Sequence, residues 1–125
     1  MTQNEKAEIQ IAIAKFCGWY DCHYFDGGNV PYGKPDDNWN EDAREFRQFL
    51  EHDEPLPDYI NDLNVIHEVE NLLNKKQWNR YVIYLAKVIA GVEDNMKVSV
   101  PTNVLISATA EQRSKALFKL ITQKL

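Results

Sequence analysis

Four polar side chains lie on one stripe of a predicted helix, Asn64, His67, Glu68 and Asn71. Their spacing of i, i+3, i+4 and i+7 places them on the same helix face. An imidazole beside a carboxylate can transfer protons near neutral pH or hold a metal ion, because the histidine pKa lies near neutrality. The stripe is therefore a candidate site for a small enzyme or a ligand-binding protein.

The same stripe has a plainer interpretation as a structural helix face. A zinc-protease helix needs a second histidine four residues after His67, and this chain has Asn71 there. Polar residues on a surface helix are commonly solvated or hydrogen-bonded to neighbouring loops. Asn61 and Asp62 equally suit backbone contacts near a helix start, the commoner role of such residues. We therefore assign no catalytic residue from the stripe.

Two cysteines and two histidines raise the question of a zinc site, since two thiolates and two imidazoles complete a tetrahedron. Cys17 and Cys22 are five positions apart and match neither a CxxC redox pair nor half of a zinc motif. With His23 and His52 they form no compact ligand pattern. We expect reduced thiols, no metal site and no cofactor.

Acidic residues are concentrated in one stretch of the chain. Between Asp36 and Asp62 there are ten acids against two bases, and the whole chain has a net charge of −5. Such a charge gives no attraction to a phosphate backbone, so direct nucleic-acid binding is not expected. Long-range attraction to a basic protein is the more economical interpretation. The candidate binding residues in this stretch are Asp36, Asp37, Trp39, Glu41 and Asp42.

Aromatic side chains are unusually dense next to the acidic stretch. Six rings fall between Trp19 and Trp39, in a segment rich in turn-forming residues, and only Lys34 is basic there. Stacking on nucleobases normally comes with several Lys or Arg residues that hold the phosphates. Two interpretations stay open: the rings cover the edge of a small core, or they anchor a protein partner.

Length and hydropathy favour one small domain away from the membrane. The 125 residues, 44% of them hydrophobic, suffice for a single core, so we predict one domain over residues 1–125. The polar start is not followed by the apolar run of a signal peptide. The longest apolar stretch, 82–92, is interrupted by Lys87 and is too short to cross a bilayer. A cytoplasmic location is expected.

The predicted fold is α+β and predominantly helical, with about five helices and a small antiparallel strand component. Capping signals and apolar periodicity predict helices over Gln3–Phe16, from Asn38 or Asn40 to Glu51, and over 58–74, 77–90 and 110–123. The first and last of these start with the capping-box spacings of Thr2 with Glu5 and Thr109 with Gln112. The helix over 77–90 has an apolar pattern that includes Trp78, Tyr81 and Leu85, and Gly91 follows it as a C′ residue. The helix over 58–74 is expected to take Asp58 as its N-cap and to bury Ile60, Leu63, Ile66, Val69 or the stem of Glu70, and Leu73.

Strands and loops are expected between these helices. The alternating aromatic stretch 19–25 predicts a strand, and one or two short strands are predicted within 92–106. Asp26–Asn29 is predicted to turn. The segment 31–38 has prolines and acid pairs without periodicity and is predicted to be a surface loop.

Three segments carry a family resemblance. PDYINDLNVIHEVENLL over 57–73, IAIAKFCGW over 11–19 and ISATAEQRSKALFKLI over 106–121 occur in the order of a PDYxNDLNxxHExExxL…ATAxQR pattern. This pattern resembles that of small tailed-phage and prophage proteins, which are similar in appearance to phage ABA-sandwich domains. In those domains helices flank a small sheet. Because 77–90 has a helical period, we expect this chain to be more helical than those relatives.

The resemblance implies phage origin but brings no established activity. Together with the acidic stretch it favours a non-enzymatic protein-interaction module in the cytoplasm of a bacterial host cell. Its partner would be a host or phage protein with a basic surface, and a nucleic-acid-binding or defence factor would be inhibited in an anti-CRISPR-like manner. A homodimer stays open. The alternative is a small enzyme or ligand-binding protein that uses the face of Asn64, His67 and Glu68.

Overall fold

The computed structural model describes residues 2–24, 31–34, 54–93 and 96–123. The chain divides into two compact units, Met1–Pro57 and Asp58–Leu125. This division does not test the expectation of a single domain, which stays a prediction. The predicted turn over 26–29 and the predicted helix from Asn38 or Asn40 to Glu51 lie outside the described residues.

The first unit begins with helix α1, Gln3–Phe16. The Thr2 hydroxyl accepts a hydrogen bond from the Glu5 amide at 3.2 Å, as the sequence predicts. This contact satisfies one of the amides that a helix start leaves without a partner. Ala7, Ile9, Ile13 and Ala14 form the buried stripe of the helix. After the helix, Gly18 adopts a φ of 100°, which glycine reaches without the steric cost of a Cβ atom.

Three short strands follow and form an antiparallel sheet in the order β1-β2-β3. They are β1, Tyr20–Tyr24, β2, Pro31–Lys34, and β3, Glu54–Pro55. The sequence predicts β1, although its pairing with β2 shifts register between Tyr20 and His23.

The predicted surface loop over 31–38 is wrong for 31–34, which form β2. Proline is tolerated at the first residue of a strand, and Pro31 occupies that place. Gly33 is buried, and a Cβ atom there would lie 3.0 Å from Cys22 Sγ and 3.2 Å from Leu56 Cδ2. Close packing of a glycine against neighbouring side chains thus explains a strand that periodicity does not reveal.

The second unit begins with a turn and a short helix where the sequence predicts one long helix. Asp58 Oδ1 accepts from the Asn61 amide at 3.1 Å, as predicted, but this contact closes a separate turn. Helix α2, Leu63–Glu70, starts after Asp62, whose side chain accepts from the Asn64 amide. Ile60, Ile66, Val69 and Glu70 are buried as expected. Leu63 is 40% exposed, so its predicted burial is wrong.

Helix α3, Lys75–Ala90, is the longest described helix. Gly91 ends it in the left-handed region, as predicted. The helix starts two residues before the predicted Gln77, because Asn74 and Gln77 form a full capping box at its start. The side chains of Tyr81, Leu85 and Ala86 are buried. Trp78 belongs to the predicted apolar pattern but is 42% exposed, with its ring 5.4 Å from the Tyr81 ring.

Two further helices complete the unit: α4, Thr102–Ile106, and α5, Ala110–Thr122. The capping box of Thr109 and Gln112 at the start of α5 is confirmed, with both hydrogen bonds present. The strands predicted within 92–106 are wrong for the described part, which has no strand and forms α4 instead. Pro101 immediately precedes α4 with a φ of −57°, which suits a helix start because proline has no amide to leave unsatisfied.

The fold class is confirmed: the described residues form five helices and one small antiparallel sheet, so the protein is α+β and predominantly helical. Among the described residues, none of the helices has the length and hydropathy that a membrane span requires.

Candidate functional site

The predicted polar stripe forms on α2 and reaches the solvent. Asn64, His67, Glu68 and Asn71 are all exposed. Asn71 directly follows the helix as its C-cap in right-handed helical geometry, so the stripe extends over the whole of α2. The sequence therefore placed these residues correctly on one face.

The carboxylate that binds His67 is that of Glu70. His67 Nδ1 lies 2.7 Å from Glu70 Oε1, a contact of residues three apart on the helix. The expected pairing of His67 with Glu68 on the same stripe is therefore wrong, since the imidazole contacts Glu70 instead. The two partners differ in exposure, since the His67 side chain is 50% exposed and that of Glu70 is 5% exposed. An accessible imidazole is thus anchored to an inaccessible carboxylate.

Glu70 is the centre of a buried hydrogen-bond network. Its Oε2 accepts from the Tyr81 hydroxyl at 2.6 Å and from Arg113 Nη1 at 2.8 Å. With His67 on Oε1, the carboxylate contacts side chains from α2, α3 and α5. A buried carboxylate is tolerated when it is paired and its remaining lone pairs are satisfied, and both conditions hold here.

Arg113 connects this carboxylate to the loop that follows α4. Its Nε donates to the Ala108 carbonyl at 3.0 Å, and Nη2 donates to the carbonyls of Leu105 and Ile106 at 3.3 and 2.9 Å. Leu105 and Ile106 end α4, where the last carbonyls lack amides from a following helical turn, although the Leu105 carbonyl also accepts from the Ala108 amide at 3.2 Å. One guanidinium therefore neutralises the buried carboxylate and also caps a helix, a combination that its planar set of donors allows.

The phenol of Tyr81 is strongly perturbed by this environment. Burial contributes most to raising its pKa above the ordinary value, and the hydrogen bond to Glu70 and the charge of Glu70 raise it further. The positive charge of Arg113 opposes this in part. Tyr81 is fully buried, so it serves as a neutral hydrogen-bond donor to the carboxylate.

The network limits what chemistry this face can perform. Both oxygens of Glu70 already accept hydrogen bonds, so this carboxylate can orient the imidazole of His67. When Nδ1 carries the proton donated to Glu70, the second ring nitrogen, Nε2, has a lone pair that can accept a proton or bind a metal ion. Within the part of the chain that the structure describes, however, no group of three or more His, Cys, Asp or Glu side chains could hold a metal.

Asp36, Asp37, Trp39, Glu41 and Asp42 lie outside the described residues. At the end of the same stretch, Asp58 and Asp62 are described and exposed. Both carboxylates accept local hydrogen bonds, from Asn61 and Asn64 respectively, so they also organise the chain before α2.

Three of the four residues considered for zinc are among the described residues. Cys17 and Cys22 form no disulfide, Cys22 and His23 belong to β1, and His52 lies outside the described residues. Among the described residues, Cys17, Cys22 and His23 belong to no group of three or more side chains that could hold a metal ion.

Sequence reasoning missed Arg113 and the polar role of Glu70. A signal was present on α5, where Arg113 is in register with the buried residues Ala110, Ala116, Leu117 and Leu120. A charged residue on a buried helix stripe requires a buried partner. Glu70 was considered only for its aliphatic stem, and nothing local in the sequence pairs it with a residue so far along the chain.

Comparisons with protein families, curated proteins and solved structures found no match. The resemblance to small phage and prophage proteins stays a prediction based on the three sequence segments.

Proposed function

We propose that this protein is a non-enzymatic interaction module of phage origin, acting in the cytoplasm of a bacterial host, whose acidic stretch 36–62 binds a basic protein surface. The observation that carries the proposal is the excess of ten acids over two bases in that stretch. Clustered carboxylates raise the rate of encounter with a basic partner through long-range attraction. A nucleic-acid-binding factor of the host, including a defence factor, presents such a basic surface.

The geometry of the second unit supports a binding role over catalysis. Glu70, the carboxylate beside the candidate imidazole, accepts three hydrogen bonds from side chains. It is fixed between Arg113 and Tyr81 in the core, where it holds helices together. The remaining residues of the stripe, Asn64, Glu68 and Asn71, are exposed on a short helix or directly after it. This arrangement suits a structural network better than an acid–base pair that exchanges protons with a substrate.

Affinity capture from a bacterial lysate, followed by mass spectrometry, identifies the partner. Its binding is then measured against salt and against a variant in which Asp36 and Asp37 become Asn and Glu41 and Asp42 become Gln and Asn. We expect slower association for the variant and weaker binding as salt increases, because salt screens charges over about 8 Å at physiological ionic strength. Glu8→Gln with Glu93→Gln is the matched control, since both residues are exposed and outside the stretch.

One observation favours the second candidate function, a ligand-binding or catalytic face at His67. The imidazole is half exposed and held at 2.7 Å by Glu70, so its orientation is fixed while its outer nitrogen can be reached. His67→Ala separates the two candidates. It leaves partner binding unchanged if the acidic stretch is the interface and abolishes binding if the interface is the face of α2. If salt and the acidic substitutions leave the affinity unchanged while His67→Ala abolishes it, the acidic-stretch proposal is overturned.

A further inference from the structure

The basic residues of this chain are separated from the acidic ones along the sequence. The first 70 residues contain sixteen acids and five bases, whereas residues 71–125 contain nine bases and three acids. Helix α3 is the clearest case, because it has four bases and no acid. The chain therefore carries two stretches of opposite charge.

Three of the four bases in α3 share one helix face with an apolar residue. Lys76, Arg80, Ile83 and Lys87 are spaced i, i+4, i+7 and i+11, which aligns them along the helix. We call this set the α3 face. Lys76 is exposed, Ile83 is 55% exposed, and Arg80 and Lys87 are partly exposed. The buried residues Tyr81 and Leu85 lie on a different side of the helix, so the α3 face is directed away from the core.

Arg80 gives this face a specific preference for carboxylates. Its Nη2 is buried and has no hydrogen-bond partner among the described residues, so this nitrogen does not face the solvent. Arg80 as a whole is partly exposed, and a carboxylate fits the planar guanidinium group with two parallel hydrogen bonds. Lys87, seven positions after Arg80, adds a positive charge on the same side of the helix, and its Nζ lies 6.0 Å from the centre of the Tyr84 ring.

We propose that the α3 face binds the acidic stretch 36–62 of a second copy of this chain. The inference rests on the proposed function, because it uses the same acidic stretch and names its partner. Charge complementarity points to this partner: the chain itself has ten acids in one stretch and, in α3, four bases and no acid. A nucleic acid is a poorer partner, because the acidic excess of the first 70 residues would repel its phosphates.

Two-fold symmetry makes such a contact reciprocal. Each copy then offers its acidic stretch to the other's α3 face, so that one dimer contains two identical charge-paired contacts. Ile83, between the bases, contributes an apolar contact at the centre of each. Because charged contacts are screened, the dimer dissociates as salt increases.

Charge reversal tests this pairing directly. One variant carries Lys76→Glu, Arg80→Glu and Lys87→Glu, and a second carries Asp36→Lys, Asp37→Lys, Glu41→Lys and Asp42→Lys. In sedimentation velocity at low salt, we expect wild type to dimerise and each variant alone to dimerise at least about tenfold more weakly, since the substituted residues now face like charges. An equimolar mixture of the two variants restores a dimer, because the substituted residues of each variant face opposite charges on the other.

Controls and opposing outcomes keep the test decisive. Lys97→Glu with Lys115→Glu reverses two bases outside the α3 face and leaves the dimer intact. Circular dichroism shows whether each variant is folded. If the charge-reversed α3 face variant is not folded, the milder Lys76→Gln with Lys87→Gln takes its place. A wild type that stays monomeric at low salt overturns the inference. The inference is also overturned if both variants dimerise as strongly as wild type, or if mixing the two variants does not restore the dimer.

Two outcomes separate this inference from the proposed function. A monomeric wild type that still binds a captured basic protein through the acidic stretch overturns the second copy as partner and leaves the interaction module standing. Both charge reversals can also be combined in one chain. If each reversal alone destabilises the fold but the combined variant is a stable monomer, the acidic stretch pairs with the α3 face of the same molecule. That result also overturns the inference.

Discussion

Glu70 and Arg113 are 43 positions apart in the chain, and their side chains meet at 2.8 Å in the interior of the second unit. The two side chains are 5% and 9% exposed. The pair connects the last residue of α2 to the first turn of α5, and through Tyr81 it also fixes α3. Local sequence specifies each helix but not which helices pack against each other. A contact between residues this far apart therefore helps to define the packing.

Breaking this pair from one side should strongly destabilise the protein. Arg113→Met leaves a buried carboxylate without its counter-charge, a change that costs about 3–5 kcal/mol. Urea unfolding of the variant measures the loss. Lys115→Ala, which removes an exposed base 3.7 Å from Glu111, is the matched control and should cost less than about 1 kcal/mol.

The double variant Glu70→Gln with Arg113→Met completes this test. It should lose less free energy of unfolding than the two single variants together, because neither charge remains buried alone. Strictly additive losses would contradict a direct interaction between the two side chains.

Tyr81 should make the protein sensitive to alkaline pH. Its pKa is raised in the folded state, mainly by burial and then by Glu70. The unfolded phenol loses its proton near pH 10, whereas the folded one keeps it, so ionisation favours the unfolded state. The stabilising contribution of the neutral phenol is complete below about pH 10 and decreases as the pH rises above that value.

Unfolding free energies of wild type and Tyr81→Phe, measured from about pH 8 to pH 11, test this expectation. The variant should lose about 1 kcal/mol or more at pH 8, because Glu70 loses a buried donor, and should show a weaker decline at high pH. Tyr84→Phe removes a hydroxyl that donates to the exposed Gln123 and serves as the control for losing a phenol. Equal declines in wild type and Tyr81→Phe would show that Tyr81 does not cause the alkaline sensitivity.

The core face of α3 can be tested with two residues of similar size. Leu85 is 3% exposed and Ile83, two positions earlier, is 55% exposed. Leu85→Ala should cost roughly 2–5 kcal/mol, because it removes buried methyl groups and leaves a cavity. Ile83→Ala should cost less than about 0.5 kcal/mol in the monomer, since surface substitutions have small effects. If denaturant unfolding gave the two variants equal losses, the orientation of α3 would be wrong.

The two capping boxes predict a further stability difference. Asn74→Ala and Thr109→Ala each remove the acceptor for an amide at a helix start and should each cost about 1 kcal/mol. Thr122, at the end of α5, donates only to the Phe118 carbonyl one turn earlier and is exposed. Thr122→Ala should therefore change thermal unfolding little. A loss as large as that of Thr109→Ala would contradict the assigned start of α5.

The sequence predicted the elements whose signals are local. Thr2, Thr109 and Gly91 are adjacent to the helices they begin or end, and the apolar period of α3 and α5 repeats within each helix. The stripe of His67 followed from the same periodicity. These features need only the residues within one or two turns.

Features that depend on distant contacts could not be predicted in this way. Residues 31–34 form a strand because Gly33 packs against Cys22 and Leu56. The segment 102–106 forms a helix whose final carbonyls bind Arg113, and neither contact has a local sequence signal. Glu70 was missed as the partner of His67 because its burial depends on α3 and α5.

The network around Glu70 also implies an uneven tolerance to evolutionary change. Loss of the imidazole at position 67 removes one surface-accessible donor and leaves the buried charge pair complete. Loss of the guanidinium at position 113 removes a counter-charge and the donors for three carbonyls at once, and lysine cannot replace it because one ammonium group cannot reach both sets of acceptors. Lineages that descend from this sequence should therefore vary at position 67 long before they vary at position 113.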